Sequence, residues 1–382
     1  MDPAERGYAD GVTEQEIKIV KPFRWGIFGT GAISAKFSQG LKAAYNAEPV
    51  FVASRNLSRA QAFAGSLHIP HAIEGYEAAA TSGMADAIYI ASPPAEHARL
   101  ALMCIEAGVP VLIEKPFASS AADAQRIANA ARAHGIFAME AMWTRFLPAA
   151  QAFKGRLASG VLGEVHMLSG SFGTAKQVDP RNGAFDPARG GGAMAQLGTY
   201  PVSLAQWLLG TPVGIQASGR MGETGVDEDA AFTLRFANGA TGSFYASIRA
   251  WAPNDFQAMG PDGILGFHGP LYRPNGLRLT RQAPQRFSMP RFDWKMRMKE
   301  QDAFHRIAQM MGWSARDRAR VEPFPYRGNG YHYEADEVRQ CIARGAIESA
   351  IMPLDDSIAV ARTVDAIRAG VAAGQASSPI WP

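Results

Sequence analysis

Residues 26–34 read GIFGTGAIS and join a short apolar run to a helical pattern. Gly29, Gly31 and Ser34 form a G-x-G-x-x-S arrangement within this stretch. Gly29 permits a tight turn, Gly31 lets a pyrophosphate approach the backbone, and the small Ser34 allows a helix to pack closely on a strand. Free N–H groups at the start of the helix would bind phosphate oxygens. The stretch therefore predicts a dinucleotide-binding loop, with a purely structural glycine turn as the alternative.

Short apolar runs alternate with helical stretches on both sides of this loop. Strands are predicted over residues 24–29, 49–54, 85–92, 109–114 and 136–140, and helices over residues 34–45, 57–67, 95–108 and 120–135. Such alternation is typical of a parallel sheet with right-handed crossovers and helices on both faces. We therefore expect a Rossmann domain that binds NAD(P) over residues 23–140, preceded by a flexible polar leader over residues 1–22.

The pattern changes after Trp143 to longer strands, several with alternating apolar residues. Strands are predicted over residues 163–173, 214–222, 229–239 and 240–251, and helices over residues 192–210 and 354–374. Asn238-Gly239 predicts a hairpin turn, whereas residues 255–327 show no readable pattern. The fold class is therefore α/β: an N-terminal parallel Rossmann sheet and, over residues 141–382, a C-terminal α/β domain for substrate binding and oligomerisation with a mostly antiparallel open sheet. The final helix carries an apolar stripe that could pack back on the first domain.

Composition excludes several classes of protein. The 382 residues carry a net charge of only +3 and no dense Lys/Arg block, which argues against nucleic acid or a membrane surface as partner. Cys104 and Cys341 are the only cysteines, both in predicted helices, so neither a disulfide framework nor metal-ligand spacing is present and no metal is expected. No run approaches about 18 apolar residues, and the leader lacks a signal-peptide core. A cytoplasmic protein is expected.

The end of the second predicted strand bears on the choice of cofactor. An acidic residue usually stands there to bind the ribose 2′-hydroxyl of NAD, whereas a 2′-phosphate needs positive charge. This sequence has Ser54 and Arg55, with Arg59 one helical turn on. Arginine binds phosphate oxygens and stacks on adenine, so NADP is the expected cofactor. If Arg55 is only a solvated loop residue, NAD is accepted as well.

Three motifs in this order resemble the glucose-fructose oxidoreductase / inositol dehydrogenase / MocA family: the glycine loop, SPPAEHARLA at residues 92–101 and EKP at residues 114–116. The resemblance runs from Phe23 to about Gly374. MEAMWTRFLP at residues 139–148 and the stretch 192–210 are most similar to the branch with dimeric dihydrodiol dehydrogenase and NADP-dependent sugar dehydrogenases. The resemblance implies a nicotinamide-dependent oxidoreductase.

Lys115 follows the apolar run VPVLIE at residues 109–114, at the carboxyl end of a predicted parallel strand. Ligands of open α/β sheets bind at such ends. The resemblance implies that Lys115 polarises the substrate oxygen or takes part in proton transfer, and that the Lys115-Pro116 bond is often cis. A partly desolvated lysine has a lowered pKa suited to removing a hydroxyl proton, with Glu114 orienting or balancing it. The alternative is a solvated charge pair after a strand.

The helix after Gly190–Gly192 carries, by the same resemblance, an Asp and then a His or Tyr four residues later. Gln196 and Tyr200 occupy these positions, on one face of the predicted helix. Tyr200 would act as acid/base or hydrogen-bond donor, with Lys115 lowering its pKa. Gln196 cannot ionise, which departs from the family pattern, but it can orient a substrate hydroxyl. The alternative for Tyr200 is a buried structural role.

The predicted site is therefore as follows. The expected catalytic residues are Lys115, Tyr200 and Gln196. The expected cofactor-binding residues are Gly29, Thr30, Gly31, Ala32, Ile33, Ser54, Arg55, Arg59, Ser92, Pro93, His97, Glu114 and Lys115. The expected substrate-binding residues are Trp143, Arg145, Asp179, Arg181, Gln196 and Tyr200.

The expected reaction is reversible hydride transfer between the nicotinamide and a CH–OH or C=O group of a sugar, cyclitol or dihydrodiol. Reduction of an anhydro- or keto-sugar is one alternative, and a non-catalytic NAD(P)-binding regulatory protein is another. The broad sheet face predicts a homodimer or homotetramer through the C-terminal sheet.

Overall fold

The computed structural model describes residues 21–282, 297–298, 301–310 and 320–374. The predicted leader falls on residues 1–22, of which residues 1–20 lie outside the described residues. The first part of the chain forms β1 (Phe23–Phe28), α1 (Ala32–Gly40), β2 (Ala47–Ser54), α2 (Leu57–Leu67), β3 (His71–Glu74), α3 (Tyr76–Ala80), β4 (Ala87–Ile90), α4 (Pro94–Glu106), β5 (Val111–Glu114), α5 (Ala121–His134) and β6 (Ala138–Ala141).

These six strands form one parallel sheet, the Rossmann sheet, in the order β3-β2-β1-β4-β5-β6. The central strands are buried on both faces, as their continuous apolar runs predict; Ile27, Phe28 and Leu112 are all 0% exposed. From β1 the chain adds β2 and β3 on one side of the sheet, and it then adds β4, β5 and β6 on the other side. The crevice between β1 and β4 is where such sheets bind ligands.

Two short elements of the Rossmann part of the chain, β3 and α3, were not predicted from the sequence. β3 is a four-residue edge strand whose end residues, His71 and Glu74, are exposed, and α3 has only five residues. Neither is long enough to produce a recognisable hydrophobic period. The predicted strands and helices of the Rossmann sheet are otherwise confirmed, with end shifts of a few residues.

The second part of the chain forms α6 (Pro148–Ala158), β7 (Met167–Gly173), α7 (Thr199–Leu209), β8 (Gly214–Met221), β9 (Asp227–Arg235), β10 (Thr241–Ser247), β11 (Phe256–Gly260), β12 (Gly263–His268), β13 (Gly276–Arg281), α8 (Asp302–Met310), β14 (Arg320–Pro323), α9 (His332–Ala343) and α10 (Leu354–Gly374). Its eight strands form the second sheet, in the order β14-β13-β12-β11-β7-β10-β9-β8. Among the strand pairs within the described residues of this sheet, β7 and β10 are parallel and the others are antiparallel. The predicted α/β fold class, with a mostly antiparallel second sheet, is confirmed.

Local sequence signals account for several of these elements. β9 and β10 form the hairpin predicted at Asn238-Gly239, where Gly239 has a φ of 86°. The helix predicted over residues 354–374 is α10, and its apolar stripe is buried at Ile358, Val364 and Ile367. The helix packs on α5, beside the Rossmann sheet, and on α7 and β8 of the second part.

The helix predicted over residues 192–210 is in fact two segments. A π-helical turn runs from Met194 to Gly198, and α7 continues from Thr199. Pro201 has no N–H to donate to the carbonyl groups of the turn before it. Because of this, the backbone of the π turn has acceptors available for other donors, which bears on the position of Lys115 below.

Three further observations limit what the molecule contains. Within the described residues, no helix is both long and apolar enough to cross a membrane. In the same part of the chain, no group of three or more His, Cys, Asp or Glu side chains is arranged to hold a metal ion. Cys104 in α4 and Cys341 in α9 are buried free thiols.

Candidate active site

A cavity of about 800 Å³ opens at the carboxyl ends of β1, β2 and β4. One wall consists of the loops that follow these strands. The other wall comes from the loop after β7, residues 176–189, and from Gln196 in the π turn. The predicted cofactor residues that line it are Gly29, Thr30, Gly31, Ala32, Ile33, Ser54, Arg55, Arg59, Ser92 and Pro93. The cavity therefore lies at the switch point of the Rossmann sheet, between the two parts of the chain.

The glycine loop has the geometry that a pyrophosphate requires. Gly29 has a φ of 104°, and a Cβ there would lie 2.7 Å from the carbonyl oxygen of Ala91. A Cβ at Gly31 would meet no heavy atom within 4 Å, so the backbone there is open to a ligand. No side chain caps the start of α1 and no acidic residue occupies its first turn. These N–H groups and the helix dipole are available to phosphate oxygens.

The end of β2 presents two arginines. Asn56 Oδ1 accepts a 3.0 Å hydrogen bond from the backbone N–H of Arg59 and caps α2. Arg55 and Arg59 are exposed at the cavity wall, and neither forms an ion pair within the described part of the chain. Two unpaired guanidinium groups at this position fit a 2′-phosphate. The glycine loop therefore fits the pyrophosphate of a dinucleotide, and the two arginines fit a 2′-phosphate on its ribose.

His97 braces two loops and does not line the cavity. Its ring is 1% exposed; Nδ1 lies 2.8 Å from the carbonyl oxygen of Pro116, and Nε2 lies 2.9 Å from that of Ser92. Burial lowers the pKa of His97, against the opposing effect of the two carbonyl groups. The imidazole thus links the loop after β4 to the loop that carries Lys115.

Lys115 projects from the end of β5 towards the π turn. The Lys115-Pro116 peptide bond is cis, as the resemblance implied. Lys115 Nζ donates a 2.8 Å hydrogen bond to the backbone carbonyl oxygen of Gln196, and lies 5.1 Å from the ring centroid of Tyr200. Burial lowers the pKa of Lys115, Lys176 lowers it further, and Glu114 and Glu140 oppose the change. The expected direction of this pKa shift is confirmed.

Glu114 contacts the backbone of Lys115 rather than its amino group. Its carboxylate accepts hydrogen bonds from the hydroxyl of Tyr89 and, at 3.1 Å, from the backbone N–H of Lys115. Burial raises the pKa of Glu114, and the nearby charge of Lys115 acts in the opposite sense. Glu114 therefore holds the backbone at the end of β5 and acts on the lysine only through its charge.

Tyr200 is buried directly behind Lys115. Its hydroxyl accepts a 3.2 Å hydrogen bond from Trp143 Nε1, and its side chain is 7% exposed. The expectation that Lys115 lowers the pKa of Tyr200 is wrong. Burial, together with the negative charge of Glu114, raises that pKa well above its ordinary value. Tyr200 is therefore a neutral hydroxyl whose own proton remains available for donation.

Of the residues predicted to bind substrate, Gln196 lines the cavity, whereas Arg145 and Tyr200 do not. The same holds for Trp143, Asp179 and Arg181. Trp143 is 6% exposed and stacks on Tyr331, with 4.6 Å between ring centroids. Asp179 and Arg181 lie on the exposed loop after β7 and pair with each other at 3.0 Å. None of the three lines the cavity wall.

Arg145 is a fully buried arginine that joins three segments. Its Nε donates to Ser203 Oγ at 2.9 Å and its Nη2 to the carbonyl oxygen of Ser203 at 2.8 Å. Its Nη1 donates to Asp356 at 2.6 Å and to the carbonyl oxygen of Ile351 at 3.3 Å. The guanidinium of Arg145 is thus committed to α7 and to the start of α10, and Arg145 does not line the cavity.

Sequence reasoning missed much of the second wall. Lys176, Asn182, Gly183, Ala184 and Arg189 line the cavity there. They belong to an irregular loop, so no period or motif indicates which side chains face inward. Asn56, Tyr76 and Ala91, on the Rossmann side, were missed as well, although Asn56 stands next to Arg55 and Ala91 next to Ser92.

Comparison with known proteins agrees with this geometry. Residues 23–141 match the model of an oxidoreductase family with an NAD-binding Rossmann fold, and residues 150–266 match the GFO/IDH/MocA C-terminal domain. The chain belongs to the Gfo/Idh/MocA family. This oxidoreductase is 33% identical over 353 residues to trans-1,2-dihydrobenzene-1,2-diol dehydrogenase of Bos taurus, covering 91% of this chain and 96% of that one.

Two solved structures of Gfo/Idh/MocA type share the fold. A levoglucosan dehydrogenase in complex with NADH and levoglucosan has a TM-score of 0.76 at 22% identity, covering 93% of this chain and 98% of that one. A 3-ketoreductase from Actinomadura kijaniata in complex with NADP has a TM-score of 0.74 at 23% identity, covering 92% of this chain and 98% of that one.

Proposed function

We propose that the chain is an NADP-dependent oxidoreductase. It transfers hydride between C4 of the nicotinamide and the carbon of a CH–OH or C=O group in a sugar, a cyclitol or a dihydrodiol. The observation that carries the proposal is Lys115: its amino group has a lowered pKa and is hydrogen-bonded to Gln196, a residue that lines the cavity. The activities of two similar proteins, a dihydrodiol dehydrogenase and a levoglucosan dehydrogenase, support the substrate class.

The roles of the side chains follow from their protonation. When bound, the nicotinamide supplies or accepts the hydride. In the oxidation direction the neutral amine of Lys115 accepts the hydroxyl proton of the substrate. In the reduction direction the ammonium of Lys115 or the hydroxyl of Tyr200 donates a proton to the carbonyl oxygen. Gln196 orients the substrate through its uncharged amide, since it has no proton to exchange.

A second candidate function is reduction of an anhydro- or keto-sugar. It is favoured by the raised pKa of Tyr200, which keeps the hydroxyl protonated and suits donation to a carbonyl. A non-catalytic NAD(P)-binding regulatory protein is the remaining alternative. Gln196 is its only support, and the lowered pKa of Lys115 speaks against it.

The proposed function is tested by fluorescence and absorbance of the nicotinamide. NADPH binding is measured first, and turnover is then measured with aldoses, cyclitols, dihydrodiols and ketosugars in both directions. Turnover of one class with tight NADPH binding is the expected result. Binding of NADPH with no turnover of any compound would favour the regulatory protein instead.

Replacing Arg55 with alanine tests the cofactor preference. We expect the KM for NADP to rise roughly 10- to 100-fold, because a charge-assisted hydrogen bond to the 2′-phosphate is lost. The KM for NAD should change little, since NAD has no 2′-phosphate. Arg126→Ala is the control, because Arg126 is an exposed arginine that pairs with Asp123 on α5. An unchanged ratio of the two KM values in Arg55→Ala would refute NADP preference.

The outer face of the second sheet is the proposed surface for a homodimer or homotetramer. Met167 and Thr241 are paired neighbours there, and Met167 and Tyr245 are 46% and 45% exposed. Light scattering at micromolar concentration is expected to give a multiple of the 41.0 kDa chain mass. Tyr245→Asp should shift the protein towards the monomer, because it places an unpaired charge in the interface. A wild-type monomer would contradict the proposal.

A further inference from the structure

The cavity wall is strongly cationic. Four cationic side chains line it, and no carboxylate does so within the described residues. Arg55 and Arg59 lie at the end of β2, where they serve the 2′-phosphate of the proposed cofactor. Lys176 and Arg189 belong to the opposite wall and have no such assignment. Neither is ion-paired in the described part of the chain.

Lys176 is held in place by its backbone. Thr174 and Lys176 donate N–H groups to the carbonyl oxygens of Ser247 and Ile248, at 3.0 Å and 2.9 Å. These bonds extend the pairing of β7 and β10 beyond the ends of the strands. The side chain of Lys176 is half-buried, and burial lowers its pKa. The backbone of Lys176 is therefore fixed at the cavity wall, and its side chain is partly desolvated.

Lys176 lines the same cavity as Gln196, whose backbone carbonyl oxygen accepts the hydrogen bond from Lys115 Nζ. The positive charge of Lys176 is one of the causes that lower the pKa of Lys115. Two partly desolvated lysines near each other repel, and a ligand with negative charge between them would relieve this repulsion. The cavity is thus electrostatically suited to an anion at its reacting end.

Residues other than Lys176 suit the anionic groups of the proposed cofactor. The glycine loop and the free N–H groups of α1 suit the pyrophosphate, and Arg55 and Arg59 suit the 2′-phosphate. A negative charge beside Lys176 is therefore left to the substrate. Gln196 contributes an uncharged amide to the same wall, so no carboxylate there repels an anion.

We propose that the substrate carries a carboxylate, that Lys176 binds this carboxylate, and that the site takes a sugar acid in preference to a neutral sugar. This inference rests on the proposed function and narrows its substrate class. A carboxylate fits better than a phosphoryl group because its single negative charge raises the pKa of Lys115 less than a dianion does. A phosphate dianion would hold Lys115 protonated and remove the base that oxidation requires.

The test compares matched pairs of substrates. Turnover of D-glucuronate and D-galacturonate is measured beside D-glucose and D-galactose, with NADP or NADPH, in the wild type, Lys176→Ala and Lys176→Arg. We expect the acids to have the higher kcat/KM in the wild type, and their KM to rise with salt. In Lys176→Ala the ratio of kcat/KM for acid over neutral sugar should fall roughly 10- to 100-fold, and Lys176→Arg should restore part of it. Lys42→Ala, an exposed lysine outside the cavity, is the control.

Other outcomes separate the failure of this inference from the failure of the proposed function. Equal kcat/KM for acids and neutral sugars in the wild type, or an equal loss with both in Lys176→Ala, would overturn the carboxylate assignment. If no compound is turned over, the proposed function fails, and binding of D-glucuronate to the NADPH complex, followed by NADPH fluorescence, decides the inference. Binding that is lost in Lys176→Ala supports it, and no binding overturns it.

Discussion

Lys115→Ala is expected to lower turnover by about 10²- to 10⁴-fold, the contribution typical of a positioned acid/base group. The loss should appear in kcat and in kcat/KM alike, because the amine acts on the proton in transfer and not on ground-state binding. NADPH affinity should be retained, since Lys115 Nζ is hydrogen-bonded to Gln196 and lies outside the glycine loop. Fluorescence titration with NADPH and initial-rate kinetics measure the two quantities.

The pH profile gives a second readout for the same residue. Burial lowers the pKa of Lys115 from its ordinary value. Oxidation requires the neutral amine, so kcat/KM for oxidation should fall as the pH falls through this pKa. Reduction requires a proton donor, so its rate should fall as the pH rises if Lys115 is that donor.

The controls for this prediction use the same measurements. Lys42→Ala, on the exposed surface near α1, should leave both rate and profile unchanged. If kcat/KM for oxidation in Lys115→Ala still falls at low pH as it does in the wild type, another group accepts the proton, and the assignment of Lys115 as the base is wrong. If it loses NADPH affinity along with turnover, Lys115 acts by holding the cofactor.

Arg145→Met is expected to reduce the free energy of unfolding by about 2–4 kcal/mol, because buried hydrogen-bond acceptors lose a donor, each at a cost of about 1–3 kcal/mol. The guanidinium of Arg145 is 0% exposed and ties Ser203 to Asp356. Without it, a carbonyl oxygen and a hydroxyl lose their donors in a buried region, and Asp356 loses its counter-ion. Thermal and denaturant unfolding measure the loss.

A comparison with Asp356→Asn makes this prediction sharper. The side chain of Asp356 is 36% exposed, so water can replace part of its interaction and its loss should cost less than that of Arg145. The double variant Arg145→Met/Asp356→Asn should lose less unfolding free energy than the two single variants together, because the two residues share one interaction. A raised KM with unchanged stability in Arg145→Met would instead restore Arg145 as a substrate-binding residue.

The parts of the fold that depend on neighbours in the chain were predictable from the sequence. The alternation of apolar runs and helical stretches between Phe23 and Glu140 specifies the parallel sheet, because each element carries its own period. Asn238-Gly239 specifies its hairpin, since few other residue pairs adopt the required backbone angles. The glycine loop was predictable for the same reason: Gly29 adopts a positive φ that other residues disfavour.

The composition of the site was decided by the tertiary structure. Lys176 lies at the same cavity as the Rossmann loops because the second sheet places the loop after β7 opposite them. No local sequence pattern predicts this arrangement. The same holds for protonation and burial. The pKa of Tyr200 is raised by burial and by Glu114, which is distant in the chain, and the guanidinium of Arg145 is engaged by Asp356 of α10. Local sequence patterns determine backbone conformation, whereas the electrostatic environment of a side chain is set by packing between residues far apart in the chain.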